Sequence, residues 1–219
     1  KKKNLQHVGG IPLVGHVIKR CYMVKEHFGL DILVSSDDQE IIQVSQKYGA
    51  WCPFVRPAKL SDDQARSYPA VLHAVEFAES FQEKKYKLII YLQPSNPFFD
   101  VQDLLKCIRI LSSSDFYESA LPIIPVSTHP FKMKRLIGDL TINFIDQGFD
   151  DMRPRQELPE VFRRAGSFYV SKRNVIFNNK HLIGEPCYGT IVSSESAVDI
   201  DTPMELEFTR FLYEKGYIK

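Results

Sequence analysis

The pair of carboxylates in Asp199-Ile200-Asp201 is the local pattern with the clearest chemical use. In an extended segment, residues two apart project from the same face, so both carboxylates point one way while Ile200 points into the core. Two carboxylates on one face suit a Mg²⁺ ion that is shared with the phosphates of a substrate. The alternative is that Asp201 only helps to start a helix at Thr202 while Asp199 is solvated, and the tripeptide alone leaves both interpretations open.

Basic side chains form two further groups. In Lys1-Lys2-Lys3-Asn4, the lysines could neutralise a polyphosphate and Asn4 could donate a hydrogen bond to it. Four arginines lie close together and could grip carboxylates or phosphates bidentately: Arg153, Arg155, Arg163 and Arg164. A solvated charge run is the more frequent explanation of the first group, and a solvated face explains the second equally well.

The elements that must position these groups alternate between short apolar runs and helical patterns. This alternation predicts an α/β fold of the Rossmann-like kind, with a mostly parallel sheet flanked by helices. Strands are predicted at 32–34, 88–92, 120–126, 168–170 and 191–192. Helices are predicted at 68–84 and 101–112, after a cap at Ser35, Ser36 or Asp37, and after the capping box Thr202-Pro203-Met204-Glu205.

The loop Gln93-Pro94-Ser95-Asn96-Pro97 follows the strongest strand pattern in the chain. Its two prolines fix the backbone, so the strand must stop there in a rigid turn. Ligands of open α/β sheets bind beyond the carboxyl ends of the strands. Topology alone therefore makes this loop a candidate site.

An inserted segment interrupts the α/β pattern after Val126. Residues 131–137 and 140–145 predict a β-hairpin around Gly138-Asp139, and a charged, irregular stretch follows. Such an insertion has too little core to stand alone, so we expect it to pack on a partner subunit. The predicted organisation is a core of residues 1–127 and 167–219 with a dimerisation arm at 128–166.

Composition excludes several classes of function. The 219 residues carry 28 Lys and Arg against 27 Asp and Glu, so nucleic acid is not the expected partner. No apolar run approaches the roughly 18 residues that a membrane span needs. The four cysteines stand far apart, which favours buried thiols in a reducing cytosol over disulfides or zinc. Hydrolase, P-loop and dinucleotide-binding motifs do not occur in the sequence.

Taken in order, these segments resemble the bacterial CMP-sialic acid (N-acylneuraminate) synthetases and their legionaminic and pseudaminic relatives. The resemblance covers nearly the whole chain. It is carried by Lys3-Asn4-Leu5, Gly10-Ile11-Pro12-Leu13, Val34-Ser35-Ser36-Asp37-Asp38, Arg56-Pro57-Ala58, Leu92-Gln93-Pro94-Ser95-Asn96-Pro97, Arg155-Gln156-Glu157-Leu158-Pro159, Gly166-Ser167-Phe168-Tyr169 and Val198-Asp199-Ile200-Asp201-Thr202.

The resemblance implies a role for each matching residue. Catalytic residues would be Lys3, Asp199 and Asp201, and the two aspartates would bind Mg²⁺, for which Mn²⁺ could substitute. Nucleotide-binding residues would be Lys3, Asn4, Arg56, Ala65 and Ser67. Residues facing the sugar acid would be Gln93, Lys132, Arg155, Arg163 and Tyr169, with Lys132 and Arg155 reaching into the partner's site.

The implied reaction is attack by the anomeric hydroxyl of a nonulosonic acid on the α-phosphate of CTP, which gives the CMP-sugar and pyrophosphate. Positioning and cationic stabilisation would carry catalysis, without a protein nucleophile. The resemblance further implies a cytoplasmic homodimer that binds neither nucleic acid nor membrane. A synthetase for another sugar acid, such as an eight-carbon ulosonate, and a non-catalytic nucleotide-binding homologue are the alternatives.

The chain departs from the family pattern at three places. The family's first strand and phosphate loop would lie before Lys1. The loop usually read as Pro-Thr-Ser-Pro-Leu-Arg is Pro94-Ser95-Asn96-Pro97-Phe98-Phe99 here, and an expected asparagine before Gly166 is Ala165. We expect Phe99 and Ala165 to lie near the sugar pocket, where they bear on which sugar is used.

Overall fold

A mixed sheet flanked by helices is the centre of the fold in this computed structural model, which describes residues 2–62, 66–145 and 151–218. The strands are β1 (His7–Val8), β2 (Ile11–Pro12), β3 (Leu88–Leu92), β4 (Ser119–Pro125), β5 (Lys134–Ile137), β6 (Leu140–Asn143), β7 (Phe162–Arg164), β8 (Phe168–Lys172) and β9 (Cys187–Ile191). The α-helices are α1 (Leu13–Lys25), α2 (Gln39–Lys47), α3 (Ser67–Gln82), α4 (Val101–Ser113), α5 (Arg173–Phe177) and α6 (Pro203–Glu214).

The predicted helix-flanked α/β sheet is confirmed, but its strands are not mostly parallel. Strand β8 pairs antiparallel with both β3 and β4, β7 pairs antiparallel with β4, and β9 pairs parallel with β4. Strands β3, β4 and β9 therefore run in one direction, as crossover connections require. The chain returns from the inserted segment in the opposite direction, and β8 enters between β3 and β4, which makes the described sheet mixed.

The predicted strand at 32–34 pairs only through a parallel bridge between Leu33 and Trp51. Trp51 donates to the Ile32 carbonyl at 2.9 Å and accepts from the Val34 amide at 2.9 Å. The next ladder donor on that side would be residue 53, which is Pro53 and has no N–H. The pairing therefore ends after one bridge.

Helix starts follow local capping chemistry. Asp38, and not Ser35, Ser36 or Asp37, caps α2, because its Oδ1 accepts from the amides of Glu40 (2.8 Å) and Ile41 (3.3 Å). The predicted capping box of α6 is confirmed: the Thr202 hydroxyl accepts from the Glu205 amide, and the Glu205 carboxylate accepts from the Thr202 amide.

Among the described residues, helix α4 and strand β8 supply eight of the thirteen buried residues of the largest core cluster. Leu104, Leu105, Phe168 and Val170 are each at most 1% exposed. Burying a side chain of this size stabilises the fold by about 2–3 kcal/mol. Phe99 belongs to the same cluster, with its ring edge-on to that of Phe168 at 5.7 Å. Burial of the Phe99 ring in the core leaves it little surface for contact with a ligand, and the expectation that residue 99 lies near the sugar pocket stays a prediction.

The predicted hairpin is present as β5 and β6, joined by the two-residue turn Gly138-Asp139. Gly138 has φ +59, which the first turn position of such a tight hairpin requires. The paired residues Ile137 and Leu140 are 61% and 63% exposed. Within the described residues, the helices are all too short or too polar to cross a bilayer.

Candidate active site

The two aspartates lie beside the loop that follows β3. Ile200 between them is 1% exposed and packs with Phe98 and residues of α1 and α6, as the sequence predicts. Its amide donates to the Ser95 carbonyl at 2.9 Å, so the acidic segment is pinned to the β3 loop. The two carboxylates extend from this anchor, and both aspartates are exposed residues.

The pKa of the Asp199 carboxyl reflects both its burial and the charge of Asp201. Burial raises the pKa of the Asp199 carboxyl, and the negative charge of Asp201 raises it further. The Ser95 hydroxyl and the Lys3 ammonium oppose this rise. A cation held between the carboxylates would relieve both their repulsion and the cost of burying Asp199.

Lys3 reaches this acidic pair from the start of the chain. It lies in a 3₁₀ turn with Asn4 and Leu5, and the buried Leu5 holds that turn against α1. The Lys3 ammonium donates to Asp201 Oδ1 at 2.8 Å. The structure therefore brings together the three residues for which the resemblance implies a catalytic role.

An interruption between β7 and β8 forms the other wall of the site. Gly166 adopts φ +88 there, a conformation that L side chains rarely adopt. A Cβ atom on Gly166 would lie 3.6 Å from Asn96 Nδ2, 3.8 Å from Gln93 Oε1 and 4.0 Å from Asp199 Oδ2. Polar groups from two other segments, the β3 loop and the acidic segment, thus converge on one backbone position.

Two tyrosines extend the site along the sheet. Tyr91 of β3 is paired with Tyr169 of β8, and their rings stack with centroids 5.9 Å apart. The Tyr91 hydroxyl hydrogen bonds to the Ser67 hydroxyl at the first residue of α3 (3.2 Å). Burial raises the pKa of Tyr169, and the nearby Arg164 opposes that rise. Three predicted site residues therefore lie at the carboxyl end of β3: Gln93 follows the strand, Tyr169 pairs with Tyr91, and Ser67 bonds to the Tyr91 hydroxyl.

Arg56 forms a separate cluster. Its guanidinium contacts Asp37 Oδ1 (Nη2, 2.9 Å) and Ser61 Oγ (Nε, 2.9 Å), and its amide donates to the Ser36 carbonyl. The predicted nucleotide residue Ala65 lies outside the described residues.

The remaining predicted sugar contacts lie in the inserted segment. Arg155 Nη2 donates to the Val126 carbonyl at 2.6 Å, and Arg163 lies in β7 with Nη1 donating to the Arg164 carbonyl. Lys132 ends an exposed 3₁₀ turn. Among the residues that the structure describes, none of these three hydrogen bonds to the carboxylate pair, Gln93 or Tyr169.

The donor set fits a divalent cation that is shared with substrate. In the described ranges, no three His, Cys, Asp or Glu residues are arranged to enclose a metal ion on their own. Asp199 and Asp201 offer two carboxylates, which leaves coordination positions for water or phosphate oxygens, as is common for Mg²⁺.

Several residues of this site were not singled out by the sequence. Ser95, Asn96 and Gly166 lie within motifs that carried the resemblance, but their side-chain and backbone roles depend on contacts between distant segments. Tyr91 could have been found from register, because it is the residue of β3 opposite Tyr169.

Comparison with known proteins finds relatives along nearly the whole chain. The family profile described as cytidylyltransferase matches residues 1–217. Pseudaminic acid cytidylyltransferase of Campylobacter jejuni is 30% identical, over 99% of this chain and 91% of that protein. CMP-N,N'-diacetyllegionaminic acid synthase of Legionella pneumophila is 27% identical, over 97% of this chain and 89% of that protein.

A solved structure shares the fold. CMP:2-keto-3-deoxy-manno-octonic acid synthetase, complexed with CTP, superposes with a TM-score of 0.66 over 98% of this chain and 92% of that chain. Its sequence is 17% identical, so this likeness concerns the fold alone.

Proposed function

Because this chain belongs to the cytidylyltransferase family, we propose that it transfers CMP from CTP to the anomeric hydroxyl of a nonulosonic acid and releases pyrophosphate. The observation that carries this proposal is the convergence of Lys3, Asp199 and Asp201 beside the β3 loop. This convergence supports the proposal, because the Lys3 ammonium and the two carboxylates lie beyond the carboxyl end of a strand, where open α/β sheets bind their ligands.

The acceptor class is supported by the names of the relatives. They act on pseudaminic and legionaminic acids, which are both nonulosonic acids, and their sequences align with nearly the whole chain. We propose an acceptor of the N-acylneuraminate or legionaminate type. The acceptor would lie against Gln93 and Tyr169, with a polar group near Gly166.

A divalent cation, Mg²⁺ with Mn²⁺ as a substitute, would be held by Asp199 and Asp201 and would supply positive charge to the phosphates of CTP. Lys3 adds a second positive charge on the same side, which stabilises the charge that gathers on the phosphoryl oxygens in the transition state. Asn4, in the same turn as Lys3, would bind the nucleotide. Arg56 and Ser67, which is the first residue of α3, would bind it as well. Ala65 is proposed as a further nucleotide contact.

We propose that residues 1–127 and 167–219 form the catalytic core and that residues 128–166 form a dimerisation arm. The exposed apolar pair Ile137 and Leu140 supports this division, because such a surface is typical of an interface. In the homodimer, Lys132 and Arg155 would reach the partner's acceptor, and Arg163 would contribute at the base of the arm.

The proposed setting is the cytoplasm. The four cysteines are free thiols, and burial raises the pKa of Cys21 and Cys107 to about 12, so neither forms a reactive thiolate readily. Such thiols suit a reducing compartment.

Pyrophosphate release tests the proposed function. The full chain is incubated with CTP, Mg²⁺ and one acceptor at a time: N-acetylneuraminate, N,N'-diacetyllegionaminate or pseudaminate. We expect release with at least one of them, dependent on both CTP and acceptor. No release with any of the three, or equal release without acceptor, would refute the proposal.

A further inference from the structure

Asn96 is a buried polar residue in the centre of the site. Its side chain is 0% exposed, and its Nδ2 donates to the Ala165 carbonyl at 2.7 Å. The backbone N–H of Asn96 also donates to the Gln93 carbonyl at 3.1 Å, which closes the turn of the β3 loop. The Nδ2 group is thus committed to a backbone carbonyl between β7 and β8, whereas Asn96 Oδ1 is buried without a hydrogen-bond partner among the described residues.

The residue that accepts this hydrogen bond, Ala165, lies between β7 and β8, directly before Gly166. Ala165 is 1% exposed and packs with Ile124, Val192 and Ala197.

We propose that Asn96 is a positioning residue that sets the shape of the acceptor pocket through the backbone of Gly166. The proposal rests on the proposed function for its acceptor. Asn96 would not touch the acceptor itself, because its side chain is fully buried. It acts on the peptide unit that precedes Gly166.

The backbone geometry makes this action direct. The Ala165 amide donates to the Pro122 carbonyl of β4 (2.9 Å), and its carbonyl accepts from Asn96, so the residue is held from both sides. The next residue, Gly166, then turns at φ +88 toward Gln93 Oε1 and Asp199 Oδ2. A change in the Ala165 carbonyl therefore alters the spacing between Gly166 and these two side chains.

The effect falls on the acceptor side of the site. Gln93 lies beside Gly166, Tyr169 follows Gly166 by three residues, and both are proposed acceptor contacts. Arg56, a proposed nucleotide contact, is bonded to Asp37 and Ser61 instead. Loss of the Asn96 hydrogen bond should therefore change acceptor binding and selectivity more than CTP binding.

The test compares Asn96→Ser with a matched control, Ser119→Ala. Ser119 is also buried, and its hydroxyl accepts from the Gly184 amide at 2.7 Å, so the control removes a buried hydrogen bond to backbone elsewhere in the sheet. Steady-state kinetics give KM for CTP and for each of the three acceptors named above. Hydrogen exchange of the amides of residues 166–168 reports the local backbone directly.

For Asn96→Ser we expect KM for the preferred acceptor to change about tenfold. The ratio of kcat/KM for the preferred acceptor to kcat/KM for the next acceptor should also change about tenfold. KM for CTP stays within about twofold, and exchange at residues 166–168 becomes faster. The control changes thermal stability but none of these quantities.

The role in acceptor selection would be overturned if KM for CTP and KM for the acceptor changed in parallel. It would also be overturned if the ratio of kcat/KM between the two acceptors stayed unchanged. Unchanged exchange at residues 166–168 would overturn the positioning role, whether or not the protein is active. Absence of turnover by the wild-type chain with all three acceptors would refute the proposed function and the role in acceptor selection, and the exchange measurement would still decide whether Asn96 sets the Gly166 backbone.

Discussion

The Lys3 ammonium lies 2.8 Å from Asp201 Oδ1, which joins the first turn of the chain to the start of its last helix. The two side chains are 40% and 67% exposed, and ion pairs with this much solvent contribute little to stability. Stability alone gives the pair little purpose, and the proposed role of the Lys3 charge is to lie beside the carboxylate pair where triphosphate is proposed to bind.

Removing the charge of Asp201 should abolish turnover without unfolding the protein. Asp201→Asn keeps the shape of the side chain but weakens the proposed cation site, so we expect kcat/KM to fall by about 100-fold or more. The measurement is pyrophosphate release, with circular dichroism to check the fold. Glu207→Gln, which removes an exposed carboxylate on the helix that follows Asp201, is the control. Wild-type turnover by Asp201→Asn would contradict the role of this residue.

Lys3 and Lys2 are adjacent but have different partners, which allows a matched comparison. Lys2 pairs with Glu40, away from the acidic segment, whereas Lys3 pairs with Asp201. Lys3→Gln should raise KM for CTP about tenfold, because a charge next to the phosphates is lost. Lys2→Gln should change it by less than about twofold. Equal effects of the two variants would show that only the overall charge matters.

The Glu79–Arg173 pair predicts a pH-dependent stability. It joins α3 to α5 through two hydrogen bonds of 2.7 Å each, and the Arg173 guanidinium lies over the Phe177 ring. Hydrogen bonding to Arg173 is the main cause that lowers the pKa of Glu79. A carboxyl whose pKa is lower in the folded state stabilises the protein above its unfolded pKa, and this stabilisation disappears as pH falls through the folded pKa.

Glu79→Gln should therefore lower the free energy of unfolding by about 1–2 kcal/mol at pH 7. The difference from wild type should shrink as the pH falls below about 4. Urea denaturation across this pH range measures it, with exposed Glu76 on the same helix changed to Gln as the control. A difference that does not depend on pH would show that the ion pair is not its source.

The hairpin should determine the oligomeric state. Leu140→Asp places a charge in the exposed apolar pair with Ile137, and burying that charge at an interface is costly. In light scattering after gel filtration, we expect the wild-type chain to be a dimer and the Leu140→Asp variant to be a monomer. In steady-state kinetics, we expect that variant to have a raised KM for the acceptor. Phe116→Asp, at an exposed aromatic residue outside the arm, is expected to stay dimeric. A fully active monomer would refute action across the interface.

Much of the fold follows from local chemistry in the sequence. Strand β3, helix α4 and the capping box at Thr202 depend on residues within a few positions of one another, so short patterns predict them. Helix α1 was not predicted, because most of its residues are buried and its sequence lacks a clear polar face. The direction of β8 depends on how the inserted segment returns, which no local pattern encodes.

The candidate site, like the fold, has some features that short sequence motifs predict and others that depend on contacts between distant residues. The sequence predicts the acidic tripeptide and the rigid β3 loop, since both are short motifs. It does not predict that Lys3 meets Asp201 or that Asn96 holds the Ala165 carbonyl, because these contacts join residues far apart in the chain.

Phosphorus NMR of one reaction mixture tests the central claim most directly. The wild-type chain is incubated with CTP, Mg²⁺ and the best acceptor from the panel. We predict that the three CTP resonances are replaced by a single phosphodiester resonance of the CMP-sugar and by pyrophosphate, in equimolar amounts. An unchanged CTP spectrum, or hydrolysis to CDP and inorganic phosphate, would contradict the account.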